Sequence, residues 1–247
     1  MPLEAPLSPL VDRLADLNAR HAHHSATQVL DHALSNPLVG ETALVSSFGA
    51  DSVVLLHMVS VIERTTPVLF LDTEMLFPET LDYQREVAEL LGLNVQVIRP
   101  DRDVTFLQDP NNRMHVHNPD GCCAIRKEEP LRKALAPFDA WITGRKRFQC
   151  GQRAALEFFE ADEEGRIKIN PLAQWAAQDI SDYITNNRLP RHPLVAKGYP
   201  SLGCAPCTTR IAAGEDSRAG RWRGLNKTEC GIHFANGAPK LTEEART

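Results

Sequence analysis

Hydrophobic and polar positions change period twice along this chain. After Ser8-Pro9, residues Leu10, Val11, Leu14 and Leu17 recur at helical spacing, which predicts an N-terminal helix capped by Ser8 with proline in its first position. Ser25 and Gln28 match a capping box and predict a second helix through Val29 and Leu30 to a stop at Asn36-Pro37. His21, His23 and His24, between the two, read as a solvated turn. Beyond Pro37 short apolar runs alternate with helical stretches. Strands are predicted at Thr42–Ser46, Val68–Leu71, Val95–Ile98 and Ala140–Thr143, with helices around Val53–Met58 and from Pro78 to Leu91, the latter closed by Gly92. Strands separated by helices of this length require right-handed crossovers and a parallel sheet. Ile167–Ile169 reads as an edge strand, Asn170-Pro171 as a turn and Ala177–Asn187 as a helix. From Leu189 onward glycine and proline are frequent and loops should dominate. The expected fold class is α/β: a parallel sheet with a mixed edge, flanked by helices, with a loop-rich C-terminal tail.

Charge changes this picture locally rather than globally. The net charge of −5 gives no reason to expect nucleic acid. Basic residues nevertheless group at Arg145-Lys146-Arg147 and from Arg218 to Arg223, a pattern that suits a small anionic ligand. Met1-Pro2-Leu3-Glu4 is neither a basic leader nor an apolar run, and no stretch approaches the ~20 apolar residues of a membrane span. The expectation is a cytoplasmic protein without a membrane partner.

Five of the six cysteines add candidate chemistry. Cys122 and Cys123 are adjacent, Cys204 and Cys207 are spaced by two residues, and Cys230 stands alone near His233. In a cytoplasmic chain of this length a disulfide framework is disfavoured. Two pairs are enough to ligate an iron–sulfur centre or a structural zinc ion. Adjacent ligands are awkward for zinc, whose pairs are usually spaced by two to four residues, so the spacing leans toward a cluster while leaving zinc open. Cys230 remains as a candidate nucleophile, with Lys227, Arg221 and His233 near it to favour the thiolate. Cys150 reads as a buried, inert thiol, and His115 and His117 as turn or surface residues.

Three strand ends carry small polar or glycine residues: Ser46-Ser47, Asp72-Thr73 and Thr143-Gly144. Ligands of parallel sheets bind at such ends. Ser47-Phe48-Gly49-Ala50-Asp51-Ser52 resembles the PP-loop of adenine-nucleotide hydrolase-like proteins, with Phe48 where that family has its first glycine. Further tracts follow in order: Leu71-Asp72-Thr73-Glu74, Gly121-Cys122-Cys123 with Arg126-Lys127, Thr143-Gly144 with Lys146-Arg147 and Gln149, Leu189-Pro190 with His192-Pro193-Leu194, Gly203-Cys204 with Cys207-Thr208, Gly220-Arg221-Trp222, and Glu229-Cys230-Gly231-Ile232-His233. By these tracts the chain resembles the assimilatory sulfonucleotide reductases, specifically the iron–sulfur adenylyl-sulfate reductases. Lys146 departs from the arginine common in that family.

That resemblance implies an enzyme reducing adenosine 5′-phosphosulfate to sulfite and AMP through a thiosulfonate on Cys230, with thioredoxin or a similar dithiol protein as reductant. It implies a [4Fe-4S] cluster on Cys122, Cys123, Cys204 and Cys207, and catalytic roles for Cys230, His233 and Lys127. It places Lys127, Arg218, Arg221 and His233 around the phosphosulfate, and Ser46, Ser47, Leu71, Thr73, Gly144 and Arg153 around the adenosine, with Gly49 in the loop and Arg147 as a further basic contact. The implied organisation is N-terminal helices over 1–40, a nucleotide-binding α/β region over 41–187 with the first cysteine pair, and a substrate-covering segment over 188–247. A 3′-phosphoadenylyl-sulfate reductase is the alternative, but that subfamily usually lacks both cysteine pairs. A PP-loop ATP pyrophosphatase would bring a better Ser-Gly-Gly loop and a basic RNA-binding surface, and a zinc-stapled binding module would leave Cys230 unexplained. Oligomeric state, a homo-oligomer included, is left open.

Overall fold

A computed structural model describes residues 9–149, 153–225, 227, 229 and 231–233. Cys150 and Cys230 lie outside the described residues, as do Ser8 and the side chain of His233. Helix α1 (Leu10–His21) and α2 (Ala26–Ser35) come first, and Ser25 caps α2 with the full reciprocal box to Gln28. His21 departs from the expected solvated turn. It ends α1 with 6% of its surface exposed, packed between His32 and Phe159 with ring centroids 4.4 and 5.4 Å away.

The sheet contains β1 (Thr42–Ser46), β2 (Pro67–Leu71), β3 (Asn94–Ile98), β4 (Ala140–Ile142), β5 (Phe159–Ala161) and β6 (Ile167–Ile169), in the order β3-β2-β1-β4-β6-β5. Every pairing is parallel except β5 with β6. Ile167–Ile169 is therefore an interior strand beside β4, and the antiparallel edge is β5, a three-residue strand too short to show a period. Helices α3 (Ser52–Ile62) and α4 (Pro78–Leu91) follow β1 and β2, and Gly92 ends α4 in the left-handed conformation at φ 61°. α3 is apolar nearly all round, as a helix buried between the sheet and its neighbours must be; Val53, Val54, Leu56 and Val59 are essentially inaccessible.

Between β3 and β4 the chain forms four short helices: α5 (Arg102–Gln108), α6 (Met114–His117), α7 (Pro119–Cys123) and, after a π-helical turn at Ala124–Glu128, α8 (Glu129–Ala134). α9 (Ala177–Asn186) precedes the loop-rich C-terminal segment. Asn170 opens the expected turn, its carbonyl accepting from the Ala173 amide at 3.0 Å, and its buried side chain is a hub: it accepts from Thr143 Oγ1 at 2.7 Å and donates to the Glu157 carbonyl and the Glu160 carboxylate, fixing the end of β4. No helix among the described residues is long and apolar enough to cross a membrane.

Candidate active site

Strand order reverses at β1, whose neighbours are β2 on one side and β4 on the other. Such a switch point opens a crevice at the carboxyl ends of the strands. Here it holds a cavity of about 400 Å³, within the size range of small-ligand sites. Ser46, Ser47 and Gly49 line it from the loop after β1, Leu71 and Thr73 from the end of β2, and Gly144 from the end of β4. Lys127, Arg153, Arg218 and Arg221 supply positive charge to the same walls, and α3 presents its N-terminus there.

The loop after β1 explains its own departure from the glycine pattern. Phe48 takes φ 48°, the left-handed region that glycine occupies without strain. Its ring is fully buried and meets Phe70 edge-on at 5.2 Å, so core burial holds a conformation that the backbone of an aromatic residue disfavours. The Phe48 amide donates to Ser46 Oγ at 3.1 Å, tightening the turn.

The C-terminal segment is laid across the cavity by specific contacts. Cys204 forms an antiparallel bridge with Leu76, and the Ala205 amide donates to the Met75 carbonyl at 2.8 Å. Thr208 bridges Arg221, and the Trp222 amide donates to the Cys207 carbonyl at 3.0 Å. A Cβ at Gly220 would overlap the Thr209 carbonyl, so the two legs of this loop can approach only with glycine at that position. Arg221 stacks its guanidinium over Trp222 at 4.4 Å and donates to the Leu202 carbonyl at 2.7 Å.

Folding brings the two cysteine pairs together. Cys122 and Cys123 sit at the end of α7, Cys204 precedes a 3₁₀ turn and Cys207 ends it. Burial pushes the Cys122 thiol up to about 11; Cys204 and Cys207 act in the same direction and Arg126 opposes them. Cys207 is raised by burial and by Cys204, against Lys127, Arg221 and Lys227. Cys123 shares an apolar cluster with Trp222, Cys207 and Ile232, and Thr73 Oγ1 lies 3.2 Å from Cys204 Sγ. Among the described residues no three of these or other His, Cys, Asp or Glu side chains are set to hold one metal ion. A zinc ion needs all its sulfurs about 2.3 Å from one point, whereas a cluster is gripped by thiolates spread around it. The donor set, four grouped and mostly buried thiols, fits a sulfur-ligated metal centre. Cationic side chains beside it offset thiolate charge.

The buried Arg126 braces this region. It pairs with Asp109 at 3.1 Å and donates to the Thr73 carbonyl and to Asn112 Oδ1, linking the turn after α7 to the end of β2. Burial alone would raise the Asp109 carboxyl, but hydrogen bonds from the Met114 and Arg113 amides and from Arg126 hold it below its ordinary range.

Among the described residues, those expected around the ligand meet at this cavity with one exception. Arg147 is absent from its lining; its Nε donates to the Leu156 carbonyl at 2.7 Å and its guanidinium faces Glu157. Lys146 is on the wall instead, buried and paired with Asp51 Oδ2 at 2.9 Å, with burial lowering its pKa against that partner. Asp51 and Glu229 are wall residues that the charge pattern did not single out, since interest in a basic site hides its carboxylates. Cys230 lies outside the described residues, but Glu229 and Ile232 on either side of it both line the cavity. Gly231–His233 forms a 3₁₀ turn packed on the π-helical turn of Lys127, and a Cβ at Gly231 would overlap the Glu128 carboxylate.

Comparison with known proteins agrees with this geometry. Residues 41–210 match the phosphoadenosine phosphosulfate reductase domain. The chain is 48% identical over 232 residues to an adenosine 5′-phosphosulfate reductase of Mesorhizobium japonicum, covering 94% of this chain and 91% of that one. It is 47% identical over 246 residues to an adenosine 5′-phosphosulfate reductase of Chelativorans, covering 99% and 98%. A crystal structure of phosphoadenylyl-sulfate reductase from Candida auris superimposes with a TM-score of 0.72 at 27% identity, covering 83% of this chain and all of that one. The chain belongs to the sulfonucleotide reductase family, by way of its phosphoadenosine phosphosulfate reductase domain.

Proposed function

We propose that this protein reduces adenosine 5′-phosphosulfate to sulfite and AMP in assimilatory sulfate reduction, drawing electrons from thioredoxin or a similar dithiol protein. The observation that carries this reading is one cavity at the sheet's switch point, walled by the loop after β1, by Lys127, Arg153, Arg218 and Arg221, and by residues on both sides of Cys230. Relatives named adenosine 5′-phosphosulfate reductases at 48% and 47% identity support it over the 3′-phosphorylated substrate, as does the presence of both cysteine pairs.

Ser46, Ser47, Leu71, Thr73, Gly144 and Arg153 hold the adenosine end, and the Gly49 turn lets the backbone approach it. Lys127, Arg218, Arg221 and His233 face the phosphosulfate. The Cys230 thiolate attacks sulfur; the S–O bond to phosphate breaks and AMP departs with the electron pair, leaving a thiosulfonate on Cys230. Fixed cations favour the transition state because charge moves onto the AMP oxygen as that bond breaks. A thiolate of the dithiol then attacks the sulfur of Cys230, sulfite leaves, and the second thiol resolves the mixed disulfide, restoring Cys230 and oxidising the dithiol. The difficult transfer is thus divided into two displacements. Cys122, Cys123, Cys204 and Cys207 would hold a [4Fe-4S] cluster, which when bound ties α7 to the C-terminal cover and sets the field beside Lys127.

Incubation with adenosine 5′-phosphosulfate and no dithiol should release AMP in one stoichiometric burst and add a sulfonate mass to the Cys230 peptide. Cys230→Ser should bind nucleotide and form no adduct. An adduct on Cys150, or turnover without any adduct, rejects the mechanism.

A further inference from the structure

The cavity's anion site already contains a carboxylate. Glu229, directly before Cys230, is 6% exposed and lines the cavity wall. Arg153 engages it with two nitrogens: Nη2 donates to Oε2 at 2.7 Å and Nε approaches Oε1 at 2.7 Å. Arg218 Nη2 lies 3.6 Å from Oε1. A carboxylate hydrogen-bonded by one guanidinium nitrogen, with a second nitrogen of that arginine and a second arginine close by, meets the same cations by which proteins bind phosphate and sulfate oxygens. Both arginines are wall residues of the same cavity.

We propose that Glu229 is an internal anion of the cavity wall, and that the bound sulfonucleotide competes with it for Arg218, beside the phosphosulfate, and for Arg153, at the adenosine end. This rests on the reading of the cavity as the sulfonucleotide site. The buried Arg153 and the half-buried Arg218 would be costly to leave without a counterion, and removing one partner of such a pair leaves an uncompensated charge. Glu229 supplies that counterion when no substrate is bound. An entering dianion compensates the arginines in its place, and the released carboxylate is covalently joined to the nucleophile's own residue.

The test measures equilibrium binding of adenosine 5′-phosphosulfate to full-length protein carrying Cys230→Ser, which prevents turnover. Glu229→Gln should tighten binding by about tenfold, equivalent to ~1.4 kcal/mol. Glu229→Asp, which keeps the charge one methylene short, should fall between Gln and the parent and carries the test if the Gln variant does not fold. Arg218→Ala should weaken binding. Unchanged or weaker binding in the Glu229 variants, with Arg218→Ala still weakened, overturns the competition and leaves the arginines as substrate contacts. Unchanged affinity in Arg218→Ala removes that arginine from the substrate site, and the substrate reading fails instead.

Discussion

His192 is 1% exposed, with Nε2 3.1 Å from Thr80 Oγ1, Nδ1 accepting from the Leu194 amide and its ring 4.8 Å from Tyr83. Burial pushes its pKa down to about 4, with Glu79 opposing. The native protein therefore keeps this ring neutral while the unfolded chain takes up a proton below the ordinary value of about 6.5. Stability from this site is complete above that value and is lost as pH falls from about 6.5 to about 4. His192→Gln should flatten the fall in melting temperature over that interval, a change on the order of 2–3 kcal/mol in the acid dependence. Single residues differ in what the sequence discloses about them. The type of each cation on the cavity wall was legible, but its direction was not. Arg147 and Lys146 are neighbours, yet only Lys146 faces the cavity, because Leu156 and Glu157 draw Arg147 away. Phe48 was legible as a departure from glycine; that a buried ring sustains the left-handed backbone needed Phe70 in place.

At the scale of elements, legibility followed length and caps. Pro78 and Gly92 bracket α4, and the Ser25–Gln28 box opens α2, so local chemistry alone sets those boundaries. The stretch between β3 and β4 escaped prediction because α5 to α8 are each one or two turns long, below the span over which an apolar stripe is readable. Their start signals were present, in Asp101 as a cap and Pro119 and Pro130 in first turns. This stretch also places α7, whose two cysteines face those of the C-terminal cover. If the four thiols share one cluster, Cys122→Ser should lose iron and activity together, and Cys204→Ser likewise, although they belong to different elements. Iron and sulfide analysis with the visible absorption spectrum checks this; full iron and normal turnover in both variants would reject the shared site.

The whole molecule carries a net charge of −5 while its cavity is lined by Lys127, Lys146, Arg153, Arg218 and Arg221. A small dianion must therefore be drawn to a local field against the global one. Fields across the protein surface are screened over about 10 Å at 0.1 M salt, whereas close buried contacts are screened far less. The KM for adenosine 5′-phosphosulfate should rise severalfold between ~0.05 and ~0.3 M salt, with a much smaller change in kcat. Equal sensitivity of both constants would mean that salt acts on the chemical step rather than on capture. The order of the sheet was not legible, since strand sequence fixes which segments are strands but not where β4 inserts. That insertion beside β1 is what creates the crevice.

The bridge between Leu76 and Cys204, with Thr73 against the Cys204 sulfur, joins positions 131 residues apart in the latter contact. During synthesis at roughly 5–20 residues per second, the end of β2 waits about 7–26 s for its partner to be made. Over much of that interval the thiols of α7 have been translated and nothing yet covers them. The nascent chain thus passes through a stage in which Cys122 and Cys123 have been made and Cys204, Cys207 and Trp222 have not. The length of that stage is set by the ribosome's pace rather than by the stability of the finished protein.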